Sequence, residues 1–583
     1  MKNKFLSTLI FPILFLGITG SSAQLITPQW AFQIGGLGAD RGVKLITDPT
    51  GNIYFTGIIE KEVYLSNNGV IDTVTSYGQE DIYFGKLNPE GQLLWSKHFG
   101  GKGVDNPTDV MINGEGDVYL SGIFEDTLYI ESDTLISQDY IDSFVAKYDS
   151  LGNLNWLRQL SGVGNQQCLS LVNDLQGNLL SGGFFTKTIE FLGTNSENWL
   201  SQGGYDGFLA KWTPQGDLTW VKLIQGTGKT IIKDVLMDNF NDYYVIGDFT
   251  DSLTTDSSQN TVYSYGKSDA FIAKYANNGD FSWIKTVGGV HDDKAKCITF
   301  GGNGKMIMTG EFKDKLFHMN KKILNGEGGD DIFHLTFKKN GKLNHDKKHG
   351  LEKNDFVFDA WIPVGQKILM TSDLKIEEGN QNVTLASYGM LGDISEIFQT
   401  GIDFNPIIQS VVMPELSNLI FCGSFHGTVI FDQISLISQG DKDFFILKMA
   451  PEIDSADSFQ PDSLKTQSVF SQLEYLKLNE MENQPQDSLL TSEELTNFFN
   501  YPNPFMKKTK IIYSLPETCE VIIKILDING ACIKNWEYSN QPLGNYFLDF
   551  NAEVYRSGIY HCQLLAKGDS VFISKVIKMI HVN

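Results

Sequence analysis

Apolar and polar positions along the chain form short strand-like runs, separated by turns rich in Gly, Asn and Asp, and the runs recur. Tryptophan marks the recurrence most plainly. Leu94-Trp95-Ser96-Lys97 returns as Asn155-Trp156, Thr219-Trp220 and Ser282-Trp283, with Trp30 as an earlier copy, at spacings of 65, 61, 64 and 63 residues. His345 and Glu396 hold the tryptophan place in two degenerate copies. A second strand recurs seven times, from Tyr54-Phe55-Thr56-Gly57 and Tyr119-Leu120-Ser121-Gly122 through to Ile420-Phe421-Cys422-Gly423. A third opens on an aspartate ten residues before a turn glycine: Asp81/Gly91, Asp142/Gly152, Asp206/Gly216, Asp269/Gly279 and Asp331/Gly341. Asn382/Gly392 is an altered copy, and Asp443 opens the seventh.

In the second unit the four strands are expected near 109–112, 117–123, 142–148 and 154–160. Their turns, such as Gly114-Glu115-Gly116-Asp117, carry residues that tolerate positive φ. Four antiparallel strands in about sixty residues, seven times over, match propeller blades. The last unit stops at Lys448-Met449-Ala450 without a tryptophan strand, and the chain starts with that strand alone, Gln29-Trp30-Ala31-Phe32. The expectation is an all-β chain. A seven-bladed β-propeller over 24–450 is closed by its N-terminal strand, which removes an exposed edge, and a small C-terminal β-sandwich follows.

Composition changes this picture only at its margins. The 57 glycines, 16 prolines and 12% aromatics among 583 residues suit many tight turns and argue against disorder. A formal charge of −24 disfavours a nucleic-acid or anionic-membrane partner. Six cysteines cannot frame so long a chain.

Residues 1–23 read as a secretory signal: Lys2 and Lys4, an apolar run interrupted by Pro12, then small residues before a cut between Ala23 and Gln24. The run is too short to span a bilayer. Residues 451–499 lose the strand alternation, and the stretch 451–500 carries ten acidic residues against two basic. They read as a flexible acidic tether, with a short helix possible at 468–478. Strand-like segments resume after Asn500, expected at 510–514, 519–527, 531–537, 545–550, 558–566 and 572–580.

The repeat spacing, with Gly-Gly after the tryptophan strand and Gly-Asn before the next, resembles the bacterial β-propeller repeat family known as SBBP. Residues 500–583 resemble the type A C-terminal sorting domain of the type IX secretion system of Bacteroidota. The likeness rests on Tyr501, Pro502, Asn503, Pro504 and Phe505, then on Asp527 and Gly530, Gly558 and Tyr560, and the basic ending with Lys575 and Lys578. It implies passage through the periplasm, handling by the type IX machinery, and a final place on the outer-membrane surface or outside the cell.

Chemistry is harder to find. Gly226-Thr227-Gly228-Lys229-Thr230 looks like the end of a phosphate loop but has Leu223 where a glycine is needed. His345 and His349 would share a zinc only on a helix; on a strand they lie about 13 Å apart. The recurrent Asp81, Asp142, Asp206, Asp269, Asp331 and Asp443 could line a cation ring, but a carboxylate that fixes each turn through backbone N–H groups explains the recurrence better. Calcium in a turn such as 238–242 is the one cofactor entertained, although the Asp-x-Asp-x-Asp-Gly order is missing. The repeat tryptophans (Trp30, Trp95, Trp156, Trp220, Trp283) read as packing, and Trp199, Trp212 and Trp361 as filling or sugar stacking. Cys168, Cys297 and Cys422 read as core; Cys519, Cys532 and Cys562 allow one disulfide. No catalytic residue is assigned. The functional expectation is an exported binding surface for protein or glycan. The alternative is a polysaccharide hydrolase or lyase with channel carboxylates.

Overall fold

A computed structural model describes residues 26–451 and 498–581, apart from short interruptions, of which 350–355, 362–367 and 400–406 are the longest. Between 356 and 399 it gives the backbone of strands only. Ala23, Gln24, the tether, Pro502, Asn503, Pro504, Phe505, Asp527 and Gly530 lie outside the described residues. Every described element is a strand, and the residues divide near 452 into two compact units.

In the first unit one four-stranded antiparallel sheet recurs. Its first copy orders Arg41–Thr47, Ile53–Ile59, Asp81–Leu87 and Leu93–Phe99. The second contains Asp105–Ile112, Val118–Ile130, Asp133–Tyr148 and Leu154–Ser161. The middle strands, Ile-Tyr-Phe-Thr-Gly-Ile-Ile and Asp-Ile-Tyr-Phe-Gly-Lys-Leu in the first copy, are buried along their whole length. Such near-continuous apolar runs arise when both faces of a sheet are covered by neighbouring sheets. The strands before and after them reach solvent and carry mixed residues.

The opening strands Arg41–Thr47, Asp105–Ile112, Gln166–Asn173, Thr230–Met237, Lys294–Phe300, Phe356–Trp361 and Ile407–Glu415 touch in that order, and the last touches the first. Each is shifted by one residue in its pairing, at Gly42/Lys44, Pro107/Asp109, Cys168/Ser170, Ile232/Asp234, Ala295/Cys297, Val357/Asp359 and Ile408/Ser410. A bulge of this kind bends a strand and increases its twist. The final sheet orders Ile407–Glu415, Asn418–Phe425, Asp443–Pro451 and then Ile26–Gly36 from the opposite end of the chain. Trp30 faces Lys448 there, the register in which Trp95 faces Lys86 and Trp156 faces Lys147. The core continues across that joint, where Phe32 and Ile34 pack with Phe55, Tyr83, Phe444 and Ile446.

The repeat tryptophans tie successive sheets together. Nε1 of Trp30, Trp95, Trp156, Trp220 and Trp283 donates to the carbonyls of Pro89, Ser150, Pro214, Asn277 and Lys339, each in a turn of the next unit, at 3.0–3.3 Å. The recurrent spacing to a glycine follows from this contact: Gly91 has a φ of +81°, and a Cβ there would lie 2.5 Å from the Trp30 ring. Lysine reinforces the latch. Lys448, Lys86, Lys147 and Lys211 donate to the same carbonyls as Trp30, Trp95, Trp156 and Trp220. Trp156 is 8% exposed, so Trp156→Ala should lower unfolding free energy by about 3–5 kcal/mol in a urea titration.

One element departs from expectation. In the second unit the two middle strands run past 123 and begin before 142, forming a hairpin that reaches the preceding sheet through a bridge from Gly100 to Tyr129. The first repeat does the same with the hairpin Glu62–Asn67 and Val70–Thr75, whose first strand pairs onto Ile26–Gly36. The glycine six residues after each repeat tryptophan (Gly36, Gly101, Gly162, Gly226, Gly289) admits this strap, since a Cβ on Gly101 would lie 1.6 Å from the Thr127 carbonyl oxygen.

The C-terminal unit has two sheets around one core. Phe498–Tyr501, Lys508–Leu515 and Gly544–Asn551 form the first; Cys532–Gln541, Cys519–Leu526, Gly558–Lys567 and Phe572–His581 form the other. Ile511 and Tyr513 from one sheet meet Val521, Ile523, Cys562 and Leu564 from the other.

Candidate functional site

The bulges of the opening strands bring a polar tier together. Lys44, Asp109, Ser170, Asp234 and Ser410 all occupy the position just after the register shift. Asp109 Oδ2 accepts the Leu171 N–H at 2.8 Å, and Oδ1 accepts the Val110 N–H at 2.9 Å. Asp234 accepts the Ser170 hydroxyl at 2.8 Å and the Ile298 N–H at 2.9 Å. The Leu45 N–H donates to Ser410 Oγ at 3.4 Å. Apart from the bond between neighbours Asp109 and Val110, these join opening strands of different sheets. Burial pushes the Asp109 carboxyl up to about 7, against the opposing pull of Lys44. Burial also raises Asp234. Both carboxylates lie on opening strands, and their oxygens already hold backbone N–H groups. None of this tier was singled out from the sequence; the bulge that aligns it has no fixed residue signature.

The recurrent aspartates sit elsewhere, at the start of each third strand. Asp81, Asp142, Asp206, Asp269, Asp331 and Asp443 are all fully buried. Asp81, Asp206 and Asp269 accept the N–H four residues earlier at 2.6–2.7 Å, and Asp142 and Asp443 make the same bond at 3.2–3.3 Å. His98, Gln159, Gln225 and Gln33 from the adjoining strand add side-chain bonds. A partner set appears 24 residues downstream, or across the chain ends: Asp105 beside Asp81, Asp293 beside Asp269, Asp40 beside Asp443. Asp40, Asp105 and Asp293 are buried and accept N–H bonds from Gly36, Gly101 and Gly289. Burial raises them to about 7, about 8 and about 8, with the neighbouring carboxylate adding to the shift.

Carboxyls that hold their protons more tightly when folded favour the folded state fully below pH ~4, and that contribution disappears as pH rises through 7–8. Urea stability should therefore fall between pH 5 and pH 8.5 by at least ~1–2 kcal/mol, and Asp105→Asn should flatten that slope.

Exposed large side chains collect at one end of the sheets. Leu37, Tyr77, Tyr129, Tyr140, Tyr263 and Val290 lie in the connections between second and third strands or between one sheet and the next, and each is more than half exposed. Tyr77 stacks on His98 with centroids 4.7 Å apart and meets Tyr129 edge-on at 6.4 Å. The exposed large hydrophobics described at the opposite end are Leu94, Leu151 and Phe240.

The other candidates resolve individually. Gly226–Thr230 is followed by the strand Thr230–Met237, and the Gly226 N–H is bonded to Asp206. His345 and His349 share the strand Leu343–His349. In turn 238–242, Asp238 holds Lys339 at 3.0 Å and Asp242 holds Lys274 at 2.6 Å. Trp212 is fully buried and donates to Ser181, so it cannot stack on a sugar. Trp199 is partly buried against Phe191, and Trp361 ends an opening strand. Cys168, Cys297, Cys422, Cys519 and Cys562 are buried free thiols, so the disulfide allowed for Cys519 or Cys562 is not formed.

In the C-terminal unit, Tyr501 ends the first strand, Gly558 and Tyr560 begin Gly558–Lys567, and Lys575 and Lys578 lie in Phe572–His581. The Tyr560 hydroxyl donates to the Arg556 carbonyl at 2.6 Å, with the ring buried. Among the described residues no helix is long and apolar enough to cross a membrane.

Comparison with known proteins adds the following. The chain is 24% identical over 246 residues to an uncharacterized WD repeat-containing protein of Acanthamoeba polyphaga mimivirus; the match covers 37% of this chain and 17% of that protein. Among solved structures it resembles PorZ, described as an essential bacterial surface component of the type-IX secretion system of Porphyromonas gingivalis. That match has 11% identity and a TM-score of 0.22, covering 93% of this chain and 81% of that one. It also resembles a member of the DUF4221 family from Bacteroides vulgatus, with 10% identity and a TM-score of 0.22, over 51% of this chain and 93% of the other. The C-terminal match is of a different kind: residues 500–579 carry the secretion system C-terminal sorting domain, which marks the chain as exported to the cell surface or secreted.

Proposed function

We propose that residues 26–451 form a seven-bladed β-propeller of the SBBP type, closed by the N-terminal strand, which presents a binding face for protein or glycan outside the cell. The sorting tail carries it there by the type IX route, after a signal peptide has been removed at Ala23. What supports closure is the pairing of Ile26–Gly36 onto Asp443–Pro451, with Trp30 and Lys448 meeting the same Pro89 carbonyl. What carries the functional reading is the one-sided collection of exposed aromatic and aliphatic side chains, led by Tyr77 and Tyr129. A polysaccharide hydrolase or lyase would need carboxylates free to act in the channel, and Asp109 and Asp234 are bonded to backbone N–H groups.

A glycan and outer-membrane-protein binding screen tests this reading. Replacing Tyr77 and Tyr129 by Ala should weaken any ligand found by tenfold or more, while Phe240→Ala at the opposite end leaves it unchanged. Polysaccharide turnover abolished by Asp109→Asn or Asp234→Asn would overturn it in favour of the enzyme.

A further inference from the structure

Two outer grooves occupy equivalent places in different units. Each lies between the last strands of adjacent sheets, beneath the tip of a strap hairpin. In the second unit the groove holds about 280 Å³ and is lined by Lys97, Glu131 and Asp133 among others. Lys97 is neutralised there by Glu131 at 2.8 Å. In the fifth unit the corresponding groove holds about 490 Å³, within the ~300–1,000 Å³ usual for small-ligand sites.

The fifth-unit groove reverses the chemistry of the second. Lys285 stands where Lys97 does, two residues after the repeat tryptophan. The hairpin tip reads Met319-Asn320-Lys321 in place of Glu131-Ser132-Asp133, so two carboxylates give way to a thioether and a lysine. Lys342 adds a third ammonium against one lining carboxylate, Asp346, and among the described residues Lys285, Lys321 and Lys342 have no ion-pair partner. The surrounding segment shares the bias. Residues 281–349 hold thirteen lysines against eight acidic residues, net +5, inside a stretch 24–450 whose net charge is −20. The fold does not require this charge, because the second unit builds the same groove with the opposite charge.

The groove also offers neutral contacts. His318 Nδ1 donates to the Thr286 carbonyl at 3.0 Å, and burial together with Lys285 favours the uncharged ring. That tautomer leaves Nε2 as an acceptor for a hydroxyl donor. Asn344 supplies an amide, and Ile323 and the exposed Met319 supply apolar surface. Ammonium groups, a hydroxyl-accepting nitrogen and a small apolar face together suit a carbohydrate that carries acidic groups.

We propose that this groove, between Lys285 and the strand Leu343–His349, binds an acidic glycan segment bearing uronate or sulfate groups. The inference rests on the glycan arm of the binding reading above and moves it to a defined site. Oligogalacturonate titrated into the purified full-length chain should bind, and should weaken as salt rises. The neutral methyl ester of the same oligomer should bind at least tenfold more weakly. Lys321→Glu with Lys342→Glu should lose tenfold or more at an unchanged melting temperature, while Lys97→Glu should leave binding as it was. Unchanged binding by the Lys321/Lys342 variant overturns the proposal, as does polyglutamate or single-stranded DNA binding as tightly as the oligouronate, or no binding of the oligouronate at all. If oligouronate binding is lost with Tyr77 and Tyr129 but kept in the lysine variant, the groove assignment fails and the binding face stands.

Discussion

Removing residues 24–36 should lower unfolding free energy by more than about 5 kcal/mol, or prevent the first unit from folding at all. Phe32 and Ile34 are 4% and 0% exposed and lie in the core shared by Phe55, Phe444 and Ile446. Burying each contributes roughly 1.5–3 kcal/mol, and the cavity left behind adds to the loss. The deletion also strips the partner from Asp443–Pro451, leaving an unpaired edge in a strand built from Phe444, Phe445, Ile446 and Leu447. The Trp30 and Lys448 latch on Pro89 is halved, and Gln33 no longer reaches Asp443. A thermal or urea melt of the truncated chain beside the parent reads this directly. An unchanged midpoint would mean that the N-terminal strand is an accessory to an array that is stable without it.

The second large effect concerns destination rather than stability. Truncation before Asn500 removes the sorting domain at 500–579. The first unit has its own cores and sheets, so it should fold and melt as before. Delivery should fail nearly completely, with the truncated protein retained inside the cell envelope. Protease shaving of intact cells, followed by fractionation, distinguishes the two outcomes. Surface exposure of the truncated chain at the parental level would show that the tail is not its export signal. A finer version replaces Tyr560, whose ring is buried and whose hydroxyl holds the Arg556 carbonyl.

Much of the architecture was legible in the sequence because several independent positions keep one register. Each repeat tryptophan needs a glycine in the next unit to lie against, so Trp30 with Gly91, Trp95 with Gly152, Trp156 with Gly216, Trp220 with Gly279 and Trp283 with Gly341 recur together, and each third strand carries its own carboxylate, such as Asp81, that holds the N–H four residues earlier. The strap hairpins were missed for a physical reason. Residues such as Asp133 to Ile136 are largely exposed, so they read as polar loop although they pair with Thr127 to Ile130 as strands. The Asp40, Asp105 and Asp293 set was missed because two units replace it with Gln166 and Thr230, which also satisfy a buried place. The polar tier at Lys44, Asp109 and Asp234 becomes visible only when bulges set seven distant strands in phase. The fifth-unit groove depends on three segments from 285 to 346, and its meaning lies in contrast with its counterpart around Lys97. The whole-chain charge of −24 concealed that local reversal.

The central claim is that residues 26–451 form one closed body in which the N-terminal strand is a full member of the last sheet. Amide hydrogen exchange of the intact chain, read for residues 30–34 beside 444–448, tests it most directly. A closed ring predicts that both segments exchange slowly and together, with protection that collapses only under conditions that unfold the whole unit. Fast exchange at 30–34 while 444–448 stays protected would contradict it.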